Sequence, residues 1–194
     1  MYVYDFDMNG SKEQIFCTLI DGKYFPIVDK DEFLSQLPSF RKSLLYYKDY
    51  AKKSINELFP IEIINESKIY QVNRMASVML LSGTNGYDII ELPLQAQFSP
   101  IYSLMIGDFD NDGIKDLIAG GNQYFVKPQF GRQDASHGWF FKGILNGGQF
   151  IFQQGQDLHV SGQIRDIEYI EVNNDKFILF AKYDNELEIF KIAK

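Results

Sequence analysis

The segment Asp108-Phe109-Asp110-Asn111-Asp112-Gly113-Ile114-Lys115-Asp116 constrains the fold more than any other part of the chain. Its four carboxylates within nine residues repel one another in a closed turn unless a cation compensates them. Side chains at alternate positions converge on one point when the chain curls, and the glycine supplies the sharp turn. Oxygen-only ligands of high formal charge suit a hard cation, and six to eight oxygens at about 2.3–2.6 Å describe calcium better than magnesium. The competing reading is a solvated acidic turn without metal.

An EF-hand would need a bidentate Glu at its twelfth position and a helix on each side. Counted from Asp108, the twelfth residue is Ala119, the ninth is Asp116, and the flanks at 102–106 and 114–118 read as strands. The segment is therefore expected as the loop of a β-hairpin. A second copy opens the chain, Asp5-Phe6-Asp7-Met8-Asn9-Gly10-Ser11-Lys12-Glu13, with oxygen ligands at positions one, three, five and nine and glycine at six. Its twelfth residue is Phe16, so the EF-hand fails there too. A decayed third copy, Glu171-Val172-Asn173-Asn174-Asp175, lacks the glycine and has Leu179 at the ninth position; it is not expected to hold metal.

Spacing makes these segments repeats. Asp5 and Asp108 are 103 residues apart and Asp108 and Glu171 63 apart; the excess of 40 is the length of the stretch 29–68. Without that stretch the common period is about 60 residues, enough for one four-stranded unit with generous loops.

Most of the remaining chain reads as short strands between turn residues. The runs 15–20 and 23–28 flank the hairpin signal Asp21-Gly22, and 77–82 and 87–92 flank Gly83-Thr84-Asn85-Gly86. Further strands are expected at 101–106, 114–119, 138–145, 150–153, 164–172, 176–181 and 186–192, with turns at Asn146-Gly147-Gly148, Asn173-Asn174 and Asp184-Asn185. Over 31–58 the period changes from two to about 3.6, with Phe40, Leu44, Tyr47, Ala51, Ile55 and Leu58 on one face, opposite Lys42, Lys48, Lys52 and Lys53. Pro38 divides this stretch into a short helix and a longer one capped by Ser39, and Pro60 closes it. It is a two-helix insertion in a β protein, and its lysines read as a solvated face.

With 194 residues the chain can bury one good core or support one domain plus an appended element. The 45% hydrophobic and 15% aromatic shares exclude disorder. A formal net charge of −7 argues against a nucleic-acid partner. No apolar run approaches the roughly 20 residues that cross a bilayer. No basic stretch followed by an apolar core opens the chain, so either it is not exported or its export signal lies outside this sequence. Cys17 is the only cysteine and reads as a small buried hydrophobe.

Residues 106–120, Ile-Gly-Asp-Phe-Asp-Asn-Asp-Gly-Ile-Lys-Asp-Leu-Ile-Ala-Gly, resemble the FG-GAP/VCBS repeat of integrin-type β-propellers. Leu94-Gln95-Ala96-Gln97-Phe98-Ser99-Pro100 before them and Gly131-Arg132-Gln133-Asp134-Ala135-Ser136-His137-Gly138 after them resemble the final blades of VCBS repeat proteins exported by Bacteroidetes. The resemblance implies an all-β fold, a partial β-propeller of about three four-stranded blades with the two-helix insertion in the first. The blades would span about 1–95, with the insertion at about 29–68, then about 96–155 and about 156–194. It also implies that Asp108, Asp110, Asp112 and Asp116 bind a structural calcium ion through their side chains and Ile114 through its carbonyl. Asp5, Asp7, Asn9 and Glu13 map onto the same roles, with Ser11 at the carbonyl position. Because Asn9 removes a charge and Glu13 lengthens an arm, weaker binding is expected in that copy.

A closed propeller usually has about four to eight blades. Further blades of a longer chain, or self-association, are therefore expected to cover open faces. By the same resemblance the chain is a non-catalytic module for recognition of glycan or protein, extracellular, at the cell surface or periplasmic. The alternative is a part of a propeller-based polysaccharide lyase or other carbohydrate-active enzyme. Asp134, Ser136 and His137 invite a hydrolase reading, but adjacent residues in a strand point to opposite faces and no Gly-x-Ser-x-Gly elbow occurs. Arg132 and Asp134 read instead as a structural ion pair, and His159 as a packed or surface residue.

Overall fold

A computed structural model describes residues 1–192, so the last two residues of the expected third blade fall outside it. The chain is mostly β, with 40% strand and 17% helix, and no closed propeller ring is present among the described residues. It divides into two compact units, Met1–Arg74 and Met75–Lys194.

In the first unit β1 (Tyr2–Tyr4) pairs antiparallel with β2 (Glu13–Ile15). The hairpin of β3 (Cys17–Ile20) and β4 (Lys23–Pro26) follows. It turns on Asp21 and Gly22, both at positive φ as an Asp-Gly hairpin demands. A helical stretch comes next, and β5 (Lys68–Ile69) returns to complete the sheet order β2-β1-β5.

That stretch is not the expected pair of helices. It contains α1 (Lys30–Gln36), a 3-10 turn at Pro38–Lys42, α2 (Tyr47–Tyr50), α3 (Ile55–Leu58) and α4 (Ile61–Glu66). Local capping interrupts the 3.6-residue pattern at three of these turns. Asp29 accepts the Glu32 N–H at 2.9 Å to start α1, the Tyr46 N–H donates to Asp49 at 3.0 Å, and Ser54 and Glu57 cap one another across α3. Ser39 lies inside the 3-10 turn and caps nothing. Pro60 does not close the stretch but precedes α4, where its missing N–H costs no helical bond. Tyr47 and Ala51, assigned to the apolar face, are exposed, whereas Leu44, Ile55 and Leu58 are buried with Tyr2, Phe6, Phe33 and Phe59 in one core.

The second unit begins with the hairpin of β6 (Val78–Gly83) and β7 (Gly86–Glu91). Four strands then form an antiparallel sheet in the order β13-β10-β9-β8: β8 (Ile101–Gly107), β9 (Asp116–Gly121), β10 (Trp139–Phe141) and β13 (Gln156–Asp157). Between the last two, β11 (Gly143–Asn146) and β12 (Gln149–Phe152) make a separate hairpin, so the expected strand at 138–145 is broken at Lys142. A meander of β14 (Ile164–Val172), β15 (Asp175–Lys182) and β16 (Glu188–Lys191) completes the unit. Its first turn is Asn173-Asn174, both at positive φ. The supposed third copy of the acidic segment is therefore a two-residue hairpin turn.

Strand β9 explains how the unit is assembled, because every one of its residues is buried. Alternate side chains point to opposite faces. Leu117 and Ala119 join Phe141, Phe152 and Leu92 in one core, while Ile118 joins Ile164, Ile167, Ile178 and Phe180 in another. Gly120 makes the second contact close, since a Cβ there would stand 2.5 Å from the Ile164 side chain. Asn122 then ends the strand as a buried polar hub. Its amide donates to the carbonyls of Ser136 (2.7 Å) and Gly162 (2.8 Å) and accepts from the Ser136 N–H (2.9 Å).

Candidate metal centre

Both acidic segments connect an antiparallel strand pair, and both close in the same register. Tyr4 of β1 pairs with Glu13 of β2, and Gly107 of β8 pairs with Asp116 of β9. The ninth residue of each loop is therefore the first rung of the returning strand.

Four hydrogen bonds recur between the loops. The N–H groups of Asn9 and Gly10 donate to the Asp5 carboxylate at 2.9 and 2.8 Å; those of Asp112 and Gly113 donate to Asp108 at 3.1 and 3.0 Å. The Ser11 N–H donates to Asn9 Oδ1 at 2.7 Å, as the Ile114 N–H does to Asp112 Oδ1 at 2.8 Å. The Phe6 N–H reaches Glu13 Oε2 at 2.9 Å, and the Phe109 N–H reaches Asp116 Oδ2 at 3.0 Å. Backbone angles match as well: Met8 and Asn111 have φ of 57° and 59°, and Gly10 and Gly113 have 92° and 86°. The phenylalanine at position two anchors each loop, Phe6 against Phe59 and Phe109 against Phe140.

Closed this way, the loops gather their acids. One oxygen each from Asp5, Asp7 and Glu13 lies within 4.8 Å of the other two, and the same holds for Asp108, Asp110 and Asp116. These are two clusters that could hold a metal ion, with the all-oxygen donor set of a hard cation. Asn9 Oδ1 and Asp112 Oδ1 each accept the N–H two residues on, which belongs to Ser11 or Ile114, the expected carbonyl donors.

The clusters differ in how their charge is met. Lys142, between β10 and β11, places Nζ 2.8 Å from Asp112 Oδ2 and in direct contact with Asp110 Oδ2. The neighbouring Gly143 N–H donates to Asp116 Oδ1 at 2.9 Å, so Asp116, 0% exposed, has an N–H donor on each oxygen. Only glycine fits at 143, because a Cβ would stand 2.0 Å from the Lys115 carbonyl oxygen. The hydrogen bond from Lys142, helped by the Ile114 N–H, holds the Asp112 carboxyl below its usual value, and the two aspartates push the Lys142 ammonium above its own. At the N-terminal loop no lysine or arginine lies within ion-pair distance of Asp5, Asp7 or Glu13 among the described residues. There Asp7 Oδ1 is buried without a hydrogen-bond partner among the described residues.

Arg132 and Asp134 form the expected ion pair, at 3.3 Å, and the Arg132 guanidinium stacks 3.5 Å over Tyr124. Ser136 is buried and held through its backbone by Asn122, while His137 turns to Asp157 at 3.1 Å. Asp157 also accepts the His159 N–H at 2.6 Å. Burial raises the Asp157 pKa, but the hydrogen bonds from His159 and His137 outweigh it and hold the carboxyl below its usual value. Cys17 is half-buried, and burial lifts its thiol to about 11.

Lys142, Gly143 and Asp157 were not singled out in the sequence. Lys142 and Asp110 are 32 residues apart, and Gly143 and Asp116 27, so no local pattern joins them. The one available signal was the glycine interrupting an apolar strand run, a mark of close backbone approach. No family model, curated protein or solved structure matches the chain. Among the described residues no helix is long and apolar enough to cross a membrane.

Proposed function

We propose that the chain is a calcium-stabilised segment of an FG-GAP/VCBS-type β-propeller that serves recognition of glycan or protein outside the cytoplasm, without catalysis. The observation that carries the reading is the recurrence of one hydrogen-bonded loop at 5–13 and 108–116, each gathering three carboxylates within 4.8 Å. Asp5, Asp7 and Glu13 would hold one ion and Asp108, Asp110 and Asp116 the other. The buried, partnerless Asp7 Oδ1 fits an incoming cation. Small antiparallel sheets support the propeller part, above all the four-stranded sheet whose Ile118 face packs on the β14–β16 meander. Exposed Tyr102, Leu104 and Ile106 along β8 support a covering partner, either further blades or a second copy.

Calcium supplies positive charge between the carboxylates, and by binding only the folded loop it stabilises the fold through mass action. At the affinity of extracellular modules, about 0.1–1 mM, 10 mM calcium adds roughly 1.4–2.7 kcal/mol per site. Thermal melting tests the reading. EDTA is expected to lower the Tm by several degrees and calcium add-back to restore it. A transition identical with calcium and with EDTA overturns it.

A further inference from the structure

We infer that Lys142 is a tethered counter-ion which a divalent cation must displace from the loop at 108–116, and that the loop at 5–13 consequently loads first. The inference rests on the calcium reading above and adds an order to it.

Asp110 is one of the three acids whose oxygens converge in its loop, and it is also the acid that Lys142 contacts. Ammonium and metal ion therefore compete for the same carboxylate. Lys142 is not simply a long side chain settled on an acidic surface. The backbone beside it is pressed onto the loop, with the Gly143 N–H on Asp116 and no room for a Cβ against Lys115. Its ammonium also bridges two carboxylates, Asp110 and Asp112, and charge-assisted hydrogen bonds of this kind outweigh neutral ones. When a cation enters, the Lys142 ammonium must give up Asp110, the acid it shares with the cluster, keeping its proton.

Among the described residues no such exchange arises at 5–13. A buried carboxylate oxygen without a donor is unfavourable in the folded chain, and a cation relieves it. Counting acids alone gives the opposite order, four at 108–116 against three at 5–13. The deciding terms are the counter-ion already in place at one loop and the unmet oxygen at the other.

The test is calcium affinity of the full chain, measured from the calcium-loaded side by competition with a chromophoric chelator, so that variants unstable without metal still report. Wild type is expected to release calcium in two classes. Asp7→Ala should abolish the tighter class and Asp110→Ala the weaker. Lys142→Met, which keeps the aliphatic stem, should tighten the weaker class about two- to fivefold, the range for releasing a partly exposed ion pair. Lys142→Arg, which keeps the charge, should leave it weak. In NMR spectra of wild type the Lys142 Cε resonance should move only as the second class fills. Two classes that Lys142→Met leaves unchanged, or a weaker class lost in Asp7→Ala, overturn this inference and leave the calcium reading standing. Absence of any calcium class in wild type overturns both.

Discussion

The loops at 5–13 and 108–116 share a register, four hydrogen bonds and two left-handed backbone positions, yet they meet their negative charge in different ways. The shape of such a loop is written locally: an aspartate that caps two N–H groups, a side chain that bonds two residues on, and a glycine at the sharp turn. Its electrostatics are not. At 108–116 they depend on Lys142 and Gly143, supplied by a distant strand edge, and at 5–13 nothing equivalent arrives among the described residues. Loops of one geometry therefore need not carry one electrostatics.

Position nine offers the largest effect with which to break this comparison. Asp116→Ala leaves both the Phe109 and the Gly143 N–H without an acceptor, and is expected to cost roughly 3–5 kcal/mol in urea denaturation of calcium-free protein. Glu13→Ala strands only the Phe6 N–H and should cost about 1–3 kcal/mol. Equal losses would show that the contact with Gly143 contributes nothing.

The shared backbone predicts equality at position six. Gly10→Ala and Gly113→Ala each place a Cβ at positive φ with no heavy atom within 4 Å, so each should cost about 1 kcal/mol, by conformation alone. A difference between the two larger than that cost would mean that the loops are not equivalent in shape.

The smallest effect is in acid. The Asp112 carboxyl lies below its usual value, so its contribution to stability is present above the ordinary carboxylate range and lost as the pH falls through the lowered value. Following the Asp112 carboxyl by NMR against pH in wild type and Lys142→Met checks this. The variant should titrate closer to an ordinary aspartate, and an unchanged midpoint would remove Lys142 as the cause.

Much of the β framework was legible because its punctuation is chemical. Asp21-Gly22, Gly83-Thr84-Asn85-Gly86 and Asn173-Asn174 turn where the residues dictate, and most strands fall within a residue or two of expectation, the runs 15–20 and 138–145 being the ones that split, at Phe16 and Lys142. The acidic loops were legible for the same reason: their bonds run between near neighbours. The helical stretch was misread because periodicity describes a continuous helix. Asp29, Asp49 and Glu57 each restart a short turn, so the buried residues follow the packing around Phe33 and Phe59 instead of one stripe. Lys142 and the hub at Asn122 escaped because their partners lie 14 to 40 residues away and meet only once the sheets are packed.

The pairing of Tyr4 with Glu13 and of Gly107 with Asp116 makes the innermost acid of each loop also the start of a strand. Side chains in a strand alternate between faces, so adding or deleting one residue in the loop would send that acid to the far side, away from its companions, and shift every later residue of the strand with it. Substitutions such as Asn9 for an aspartate leave this arrangement standing. A change in loop length would dismantle the acidic cluster and the sheet register together, a harsher effect than a change of side chain within the loop.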